Sequence, residues 1–169
     1  MSDSVSLKGD LLELGRFLGG PILAIDSSGP MTSLCCVGLE QGRVDEREMD
    51  ATALPSDVLA ETIASLLQGT NTRAEEIKAI VVGIGPGSFT GIRVGLSTAQ
   101  GMALGAGIPL YGISSLGVLA LSAQEPWVAV CADARHDEVY CALYRIDGAG
   151  VLDSFILGIV IALPMTLIL

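Results

Sequence analysis

Aromatic residues are scarce in this chain: one Trp, three Tyr and three Phe among 169 residues. Its core must therefore be built from aliphatic and small side chains. Half of the sequence is hydrophobic, which supplies enough apolar surface for such a core and excludes wholesale disorder. Basic residues are also few, 9 Lys plus Arg against 19 Asp plus Glu, for a net charge of −10. A chain this acidic does not hold a phosphate backbone by itself, because non-specific nucleic-acid affinity comes from basic neutralisation of phosphates. Any dealings with RNA run through a more basic partner. Histidine occurs once, at His136 on an expected turn, and reads as a solvated side chain. No Ser-His-Asp or Cys-His set can be assembled without this one turn histidine, so hydrolysis by a triad has little support, and a single histidine gives a zinc site little support either. The four cysteines, at 35, 36, 131 and 141, make no CxxC pair. They read as buried thiols in a reducing cytosol. The first twenty residues carry Asp3, Lys8, Asp10, Glu13 and Arg16, which interrupt any secretory apolar region. A cytoplasmic location is the expectation.

The length suits one domain or one and a half small ones. Residues 1–21 read as an extension, with a short helix near Leu11–Leu18 ended by Gly19-Gly20-Pro21. Strands are expected at Ile22–Asp26, Thr32–Leu39 and Gly42–Asp50. From Pro55 to Leu67 the period becomes helical: Val58, Leu59, Thr62, Ile63, Leu66 and Leu67 share a stripe, Ser56 or Asp57 caps the start and Gly69 closes the end. Ile77–Ile84 is a strand run without alternation, as for a parallel strand covered on both faces. A long helix over Ser88–Leu104, a strand over Pro109–Ile113 and a helix over Ser114–Ala123 follow. Trp127–Ala132 and Glu138–Arg145 then pair as a hairpin. In a hairpin centred near His136, Cys131 faces Cys141. The order β-β-β-α-β-α-β-α is an α/β layout with a mixed sheet and flanking helices.

The most informative stretch is Gly83-Ile-Gly-Pro-Gly-Ser-Phe-Thr-Gly-Ile-Arg-Val-Gly95. A glycine-rich strand-to-helix turn can present backbone N–H groups to an anion. Here no Walker lysine follows, and Pro86 removes a donor. Small residues recur every fourth position at Gly87, Gly91, Gly95, Ala99, Ala103 and Gly107. Each interior helix Gly costs about 1 kcal/mol relative to Ala, so the stripe needs a reason: close approach of another backbone, from this chain's own sheet, from a partner subunit, or from both.

GIGPGSFTGIRVG running into LSTAQGMALG, with ILAIDSS at 22–28 and DARHDEVY at 133–140, resembles the bacterial TsaB (YeaZ) family, of the peptidase M22/glycoprotease-like superfamily. The resemblance covers residues 22–147 and is carried by Asp26, Gly85, Pro86, Gly87, Ser88, Phe89, Thr90, Gly91, Arg93, Gly95, Asp133, Arg135 and Glu138. It implies an actin/Hsp70/sugar-kinase superfold with RNase H-like domains: one over 22–125, and the start of an incomplete second domain over 126–169. It implies a non-catalytic subunit of the machinery that makes N6-threonylcarbamoyladenosine in tRNA beside the anticodon. Such a subunit pairs with a TsaD-like catalytic paralogue and is joined by a TsaE-like ATPase. Metal and ATP belong to those partners, tRNA is met only through the complex, and a homodimer is the alternative state of the free chain. The family's interface uses the first two helices. Here that gives Val58, Leu59, Thr62, Ile63, Leu66, Phe89, Gly91, Ile92, Gly95, Leu96, Ala99 and Ala103. Asp26 lies where kinases of this superfold organise metal and phosphate, but no second acidic phosphate motif accompanies it, so it reads as a turn-former. Asp133, Arg135 and Glu138 form a charged cluster at a hairpin tip. The competing function is an autonomous ATPase or phosphotransferase.

The stretch from Phe155 to Leu169 departs from the family: fifteen uncharged residues including Pro164. A membrane-crossing helix needs about 20 apolar residues, so no membrane span is expected. The preferred account of the segment is a truncated or frame-altered end; a core strand and a membrane-associated tail are the alternatives.

Overall fold

The computed structural model describes residues 13, 15–38, 42–50, 56–123, 125–135, 138–146 and 152–161, with the backbone path alone for 56–57 and 152–161. Residues 13 and 15–18 are helical and give way to a turn at Gly19, which has φ 79°. Among the described residues, eight strands and three α-helices follow: β1 (Ile22–Asp26), β2 (Met31–Gly38), β3 (Arg43–Asp50), α1 (Ser56–Gly69), β4 (Ala79–Gly83), α2 (Phe89–Ala106), β5 (Leu110–Ile113), α3 (Ser115–Ala120), β6 (Trp127–Arg135), β7 (Glu138–Ile146) and β8 (Leu152–Ile161). A single 3-10 turn, Ala74–Glu76, lies between α1 and β4.

The first five strands form one sheet in the order β3-β2-β1-β4-β5. β1 pairs parallel with β4, and β4 parallel with β5; β2 runs antiparallel to both β1 and β3. This order, with β2 alone reversed, is the sheet of an RNase H-like domain. Alternation decides which side carries the core. Leu23 and Ile25 of β1, Leu34 and Cys36 of β2, and Ile80 and Val82 of β4 face one way and are buried together with Leu59, Ile63, Leu66 and Leu67 of α1 and Ala99 and Ala103 of α2. The edge strand β3 carries Arg43, Asp45, Glu46, Arg47 and Glu48, and charge on an edge discourages pairing with another chain. The opposite face of the sheet is more open. There Ala24, Asp26, Ser33, Cys35, Glu46, Glu48, Val81 and Ile113, with Val118 of α3, line a groove of about 500 Å³.

The last three strands form an antiparallel sheet in the order β6-β7-β8. Helix α3 covers its inner face, where Leu116 and Ala120 are buried with Ala142 and Tyr144 of β7. The Ser114 and Tyr144 hydroxyls lie 3.2 Å apart and join the β5–α3 connection to this second sheet. On the outer face Cys131 stands directly opposite Cys141, as the hairpin symmetry predicts.

Three details differ from the sequence reading. Helix α1 ends at Gly69, but Gly69 is not its left-handed closing residue. Asn71 takes the left-handed position (φ 51°), with Thr72 N–H on Leu67 C=O at 2.8 Å and Asn71 N–H on Gln68 C=O at 3.0 Å, a Schellman ending. Gly69 lies instead beside the Asp45 carboxylate, which would have to swing aside for a Cβ there. The capping role given to Ser56 or Asp57 concerns side chains outside the described residues. Second, only Cys36 is fully buried; Cys35 and Cys141 are half-buried and Cys131 is exposed, because the latter pair occupies the uncovered face of the second sheet. Third, the first part of the apolar segment is a strand, β8, paired along β7. Residues 162–169 lie outside the described residues. Among the described residues, no helix is long and apolar enough to cross a membrane.

Candidate functional site

β1, β4 and β5 are parallel, so their carboxyl ends share one edge of the sheet, the edge where open α/β sheets place their sites. The motif glycines converge there, and each is explained by what lies beside it. Gly83 ends β4 against the Asp26 carboxyl group, 2.5 Å from where a Cβ would stand. Gly85 has φ 85°, a backbone that side chains disfavour. The β5–α3 connection clasps it twice: Gly85 N–H donates to Ser115 Oγ at 3.2 Å, and Ser115 N–H donates to Gly85 C=O at 2.9 Å. The Gly85–Pro86 peptide is cis. Gly87 leaves room for the Ser28 carbonyl, which accepts the Ser88 N–H at 2.7 Å.

Ser88 then starts α2 as its N-cap, its Oγ accepting the Gly91 N–H at 3.2 Å. One turn on, Gly91 sits directly over the Ser27 carbonyl, and Gly95 over the Ser27 hydroxyl. The stripe continues as buried Ala99 and Ala103. The helix therefore places Gly91 and Gly95 against Ser27, in the segment that follows this chain's own β1. Several backbone donors of the turn are also committed. Pro86 has none, Gly85 N–H goes to Ser115, Ser88 N–H to Ser28 and Gly91 N–H to Ser88. The turn is built as a joint between strand and helix, and four of its positions offer no free donor to an anion.

Asp26 caps the next turn by accepting the Ser28 N–H on Oδ1 at 2.9 Å, the turn-forming role expected of it. At the far hairpin, Asp133 Oδ1 accepts the Arg135 N–H at 2.7 Å, and Arg135 has φ 66°. Glu138 stands opposite Arg135 in register, yet among the described residues no ion pair joins Arg135 to either acid. His136 lies outside the described residues. Among the described residues, no cluster of three or more His, Cys, Asp or Glu is placed to hold a metal ion.

The residues assigned to a two-helix interface divide by exposure. Leu59, Ile63, Leu66, Gly95, Ala99 and Ala103 are buried inside this chain, so they support α1 and α2 from below and present no surface. Thr62, Gly91, Ile92 and Leu96 are partly exposed, and Val58 is exposed. Phe89 is 73% exposed and stacks under the Arg93 guanidinium, 5.2 Å from the ring centre. Leu104, not singled out from the sequence, is 86% exposed at the other end of α2. Fifteen residues after Phe89, about four helical turns, it continues the same outward face. Thr90 and Arg93 are exposed on the first turns. Ser27, Ser28 and Ser115, the residues that hold the glycine turn, were likewise not singled out. The repeated Ser-Ser pairs after β1 and β5 are the signal that could have found them.

A β3-β2-β1-β4-β5 sheet of RNase H-like order, with its glycine turn tied to the segments after β1 and β5, defines an α/β domain. A family model described as "TsaD: tRNA N6-adenosine threonylcarbamoyltransferase" matches residues 51–157. The tRNA threonylcarbamoyladenosine biosynthesis protein TsaB of Escherichia coli (strain K12) is 38% identical over 144 residues, 77% of this chain and 57% of that protein. TsaB of Haemophilus influenzae is 35% identical over 127 residues, covering 70% and 51%. The solved structure of YeaZ from Pseudomonas aeruginosa superposes with a TM-score of 0.75 at 30% identity, over 86% of this chain and 68% of that one. The chain belongs to the TsaB (YeaZ) family. It spans about half the length of the curated relatives it matches.

Proposed function

We propose that this chain serves tRNA threonylcarbamoyladenosine biosynthesis as a non-catalytic scaffold and activator. It pairs with a catalytic TsaD-like paralogue, a TsaE-like ATPase joins the pair, and the complex rather than this chain meets the tRNA. The chain binds no cofactor of its own; ATP and metal are used by the partner subunits, in the cytoplasm.

One observation carries the proposal. The glycine stripe fixes α2 onto β1 from the inside and leaves an outward α2 face with Phe89 and Leu104 projecting from it, flanked by partly exposed Ile92 and Leu96 and by Val58 of α1. Apolar side chains held proud on a rigid helix are suited to a partner helix, because their burial needs no rearrangement of the chain. The acidic balance fits a subunit that leaves phosphate contacts to others.

The test is reconstitution. Formation of threonylcarbamoyladenosine on tRNA is measured with the paralogue and ATPase, with and without this chain, and with this chain alone. The proposal expects no product from the chain alone and a rate with all three components well above that without it. Product from the chain alone, or no gain on adding it, contradicts the proposal. The groove of about 500 Å³ beside Asp26 favours a second reading, autonomous nucleotide binding. Titration of the isolated chain with ATP in a calorimeter decides it: saturable heat supports that reading and its absence dismisses it.

A further inference from the structure

Cys131 and Cys141 are the cysteines that the proposed function leaves without a task. They lie directly opposite each other on the antiparallel strands β6 and β7. Their Sγ atoms are 2.7 Å apart, closer than unbonded sulfurs ordinarily rest, and both are free thiols. The alternation of β6 turns Val128, Val130 and Ala132 toward the core beneath α3 and puts Cys131 on the outer, exposed face with Ala129 and Asp133. Cross-strand neighbours on one face are the closest side-chain pairs a sheet offers, so the two sulfurs need no backbone movement to meet. The other two cysteines are differently placed. Cys35 and Cys36 are consecutive, so they point to opposite faces of β2. Cys36 is fully buried, its sulfur accepting the Thr70 hydroxyl at 3.3 Å. Cys35 is half-buried with the Glu46 and Asp45 carboxylates acting on it.

We propose that Cys131 and Cys141 form a modifiable dithiol that closes to an intramolecular disulfide, with a small-molecule disulfide of the glutathione type as oxidant. Cys131, the more exposed, attacks as its thiolate on one sulfur of the oxidant. That S–S bond breaks, and the departing thiolate takes up the proton that Cys131 gave up. Cys141 then displaces the second thiol from the mixed disulfide and its proton passes to that leaving group. The protein loses two protons and two electrons and gains one S–S bond, while the oxidant is reduced to two thiols. The closed form ties β6 to β7 on the face away from α3 and leaves the helices of the proposed interface unmodified.

The experiment treats the full chain with oxidised glutathione, quenches in acid, alkylates the remaining thiols, and reads the intact mass and the peptide map. The expected result is loss of two of the four thiols, a mass lower by two hydrogens without a retained adduct, and a cross-linked peptide joining Cys131 to Cys141. Dithiothreitol reverses the change. Cys141→Ser then traps a stable glutathione adduct on Cys131, and Cys35→Ser closes as the wild type does. Four unreacted thiols, a wild-type adduct that never resolves, or a cross-link that involves Cys35, Cys36 or a second chain overturns the proposal.

Discussion

Ser27 and Gly91 are joined at the centre of the molecule: the Ser27 hydroxyl donates to the Gly91 carbonyl at 2.7 Å, and the Ser27 carbonyl occupies the space a side chain at Gly91 would need. Ser27 is 1% exposed, and the bond to Gly91 is partly buried. It couples the segment after β1 to the first turn of α2 across 64 residues of sequence. Through it, the most recognisable part of the sequence fixes the orientation of the helix whose outer face is proposed to meet the partner.

Two helix glycines should consequently respond to alanine with opposite signs. Helix propensity alone favours Ala by about 1 kcal/mol at each. At Gly101 nothing lies within 4 Å of the added Cβ, so Gly101→Ala should stabilise by about 0.5–1 kcal/mol. At Gly91 the Cβ collides with backbone that cannot retreat, and overpacking of this kind costs about 1–3 kcal/mol. Urea unfolding of both variants checks this; equal shifts would mean that α2 does not rest on Ser27.

Thr32 is fully buried on β2, and its Oγ1 has no hydrogen-bond partner among the described residues. Thr32→Val keeps the shape and removes the unsatisfied hydroxyl, so it should stabilise by about 1 kcal/mol. Thr70, buried beyond the end of α1 with its hydroxyl donating to Cys36 Sγ and in contact with the Thr72 hydroxyl, should behave in the opposite way: Thr70→Val loses those bonds and costs about 1 kcal/mol. Thermal unfolding separates the two.

Burial pushes the Cys35 thiol up from 9.0 to about 12, with the Glu46 carboxylate adding to the effect. The folded chain therefore holds this thiol neutral where the unfolded chain would ionise it. The resulting contribution to stability is complete below pH 9 and is lost as pH climbs toward about 12. Cys35→Ala should flatten the alkaline fall in stability over that window, measured by chemical unfolding at stepped pH. An unchanged alkaline limb would show that Cys35 ionises freely in the folded state.

Much of this architecture is legible in the residues. Leu59, Ile63, Leu66 and Leu67 repeat at helical spacing because they all reach one core. The Cys131–Cys141 register follows from hairpin symmetry. The use of the small-residue stripe is not legible, because its reason sits at Ser27 and Ser28, some sixty positions earlier. The ending of α1 is obscured in the same way: Gly69 looks like a helix stop, yet it lies beside Asp45 on β3, and Asn71 makes the turn. Local pattern reveals periodicity and symmetry; which neighbour a glycine makes room for is a property of the fold. The same limit applies to the interface, where period grouped inward Leu59 and Ile63 with outward Val58.

The most direct test of the scaffold account is the mass of the complex by light scattering on a size-exclusion column. The full chain is mixed with its TsaD-like paralogue, beside a Phe89→Asp, Leu104→Asp variant. Both side chains are exposed and outside the core, so the variant should keep its fold within about 1 kcal/mol. The account predicts a one-to-one complex with the wild type and separate elution with the folded variant. A wild-type chain that ignores the paralogue, or a variant that still binds it as tightly, contradicts the outward face of α2 as the docking surface.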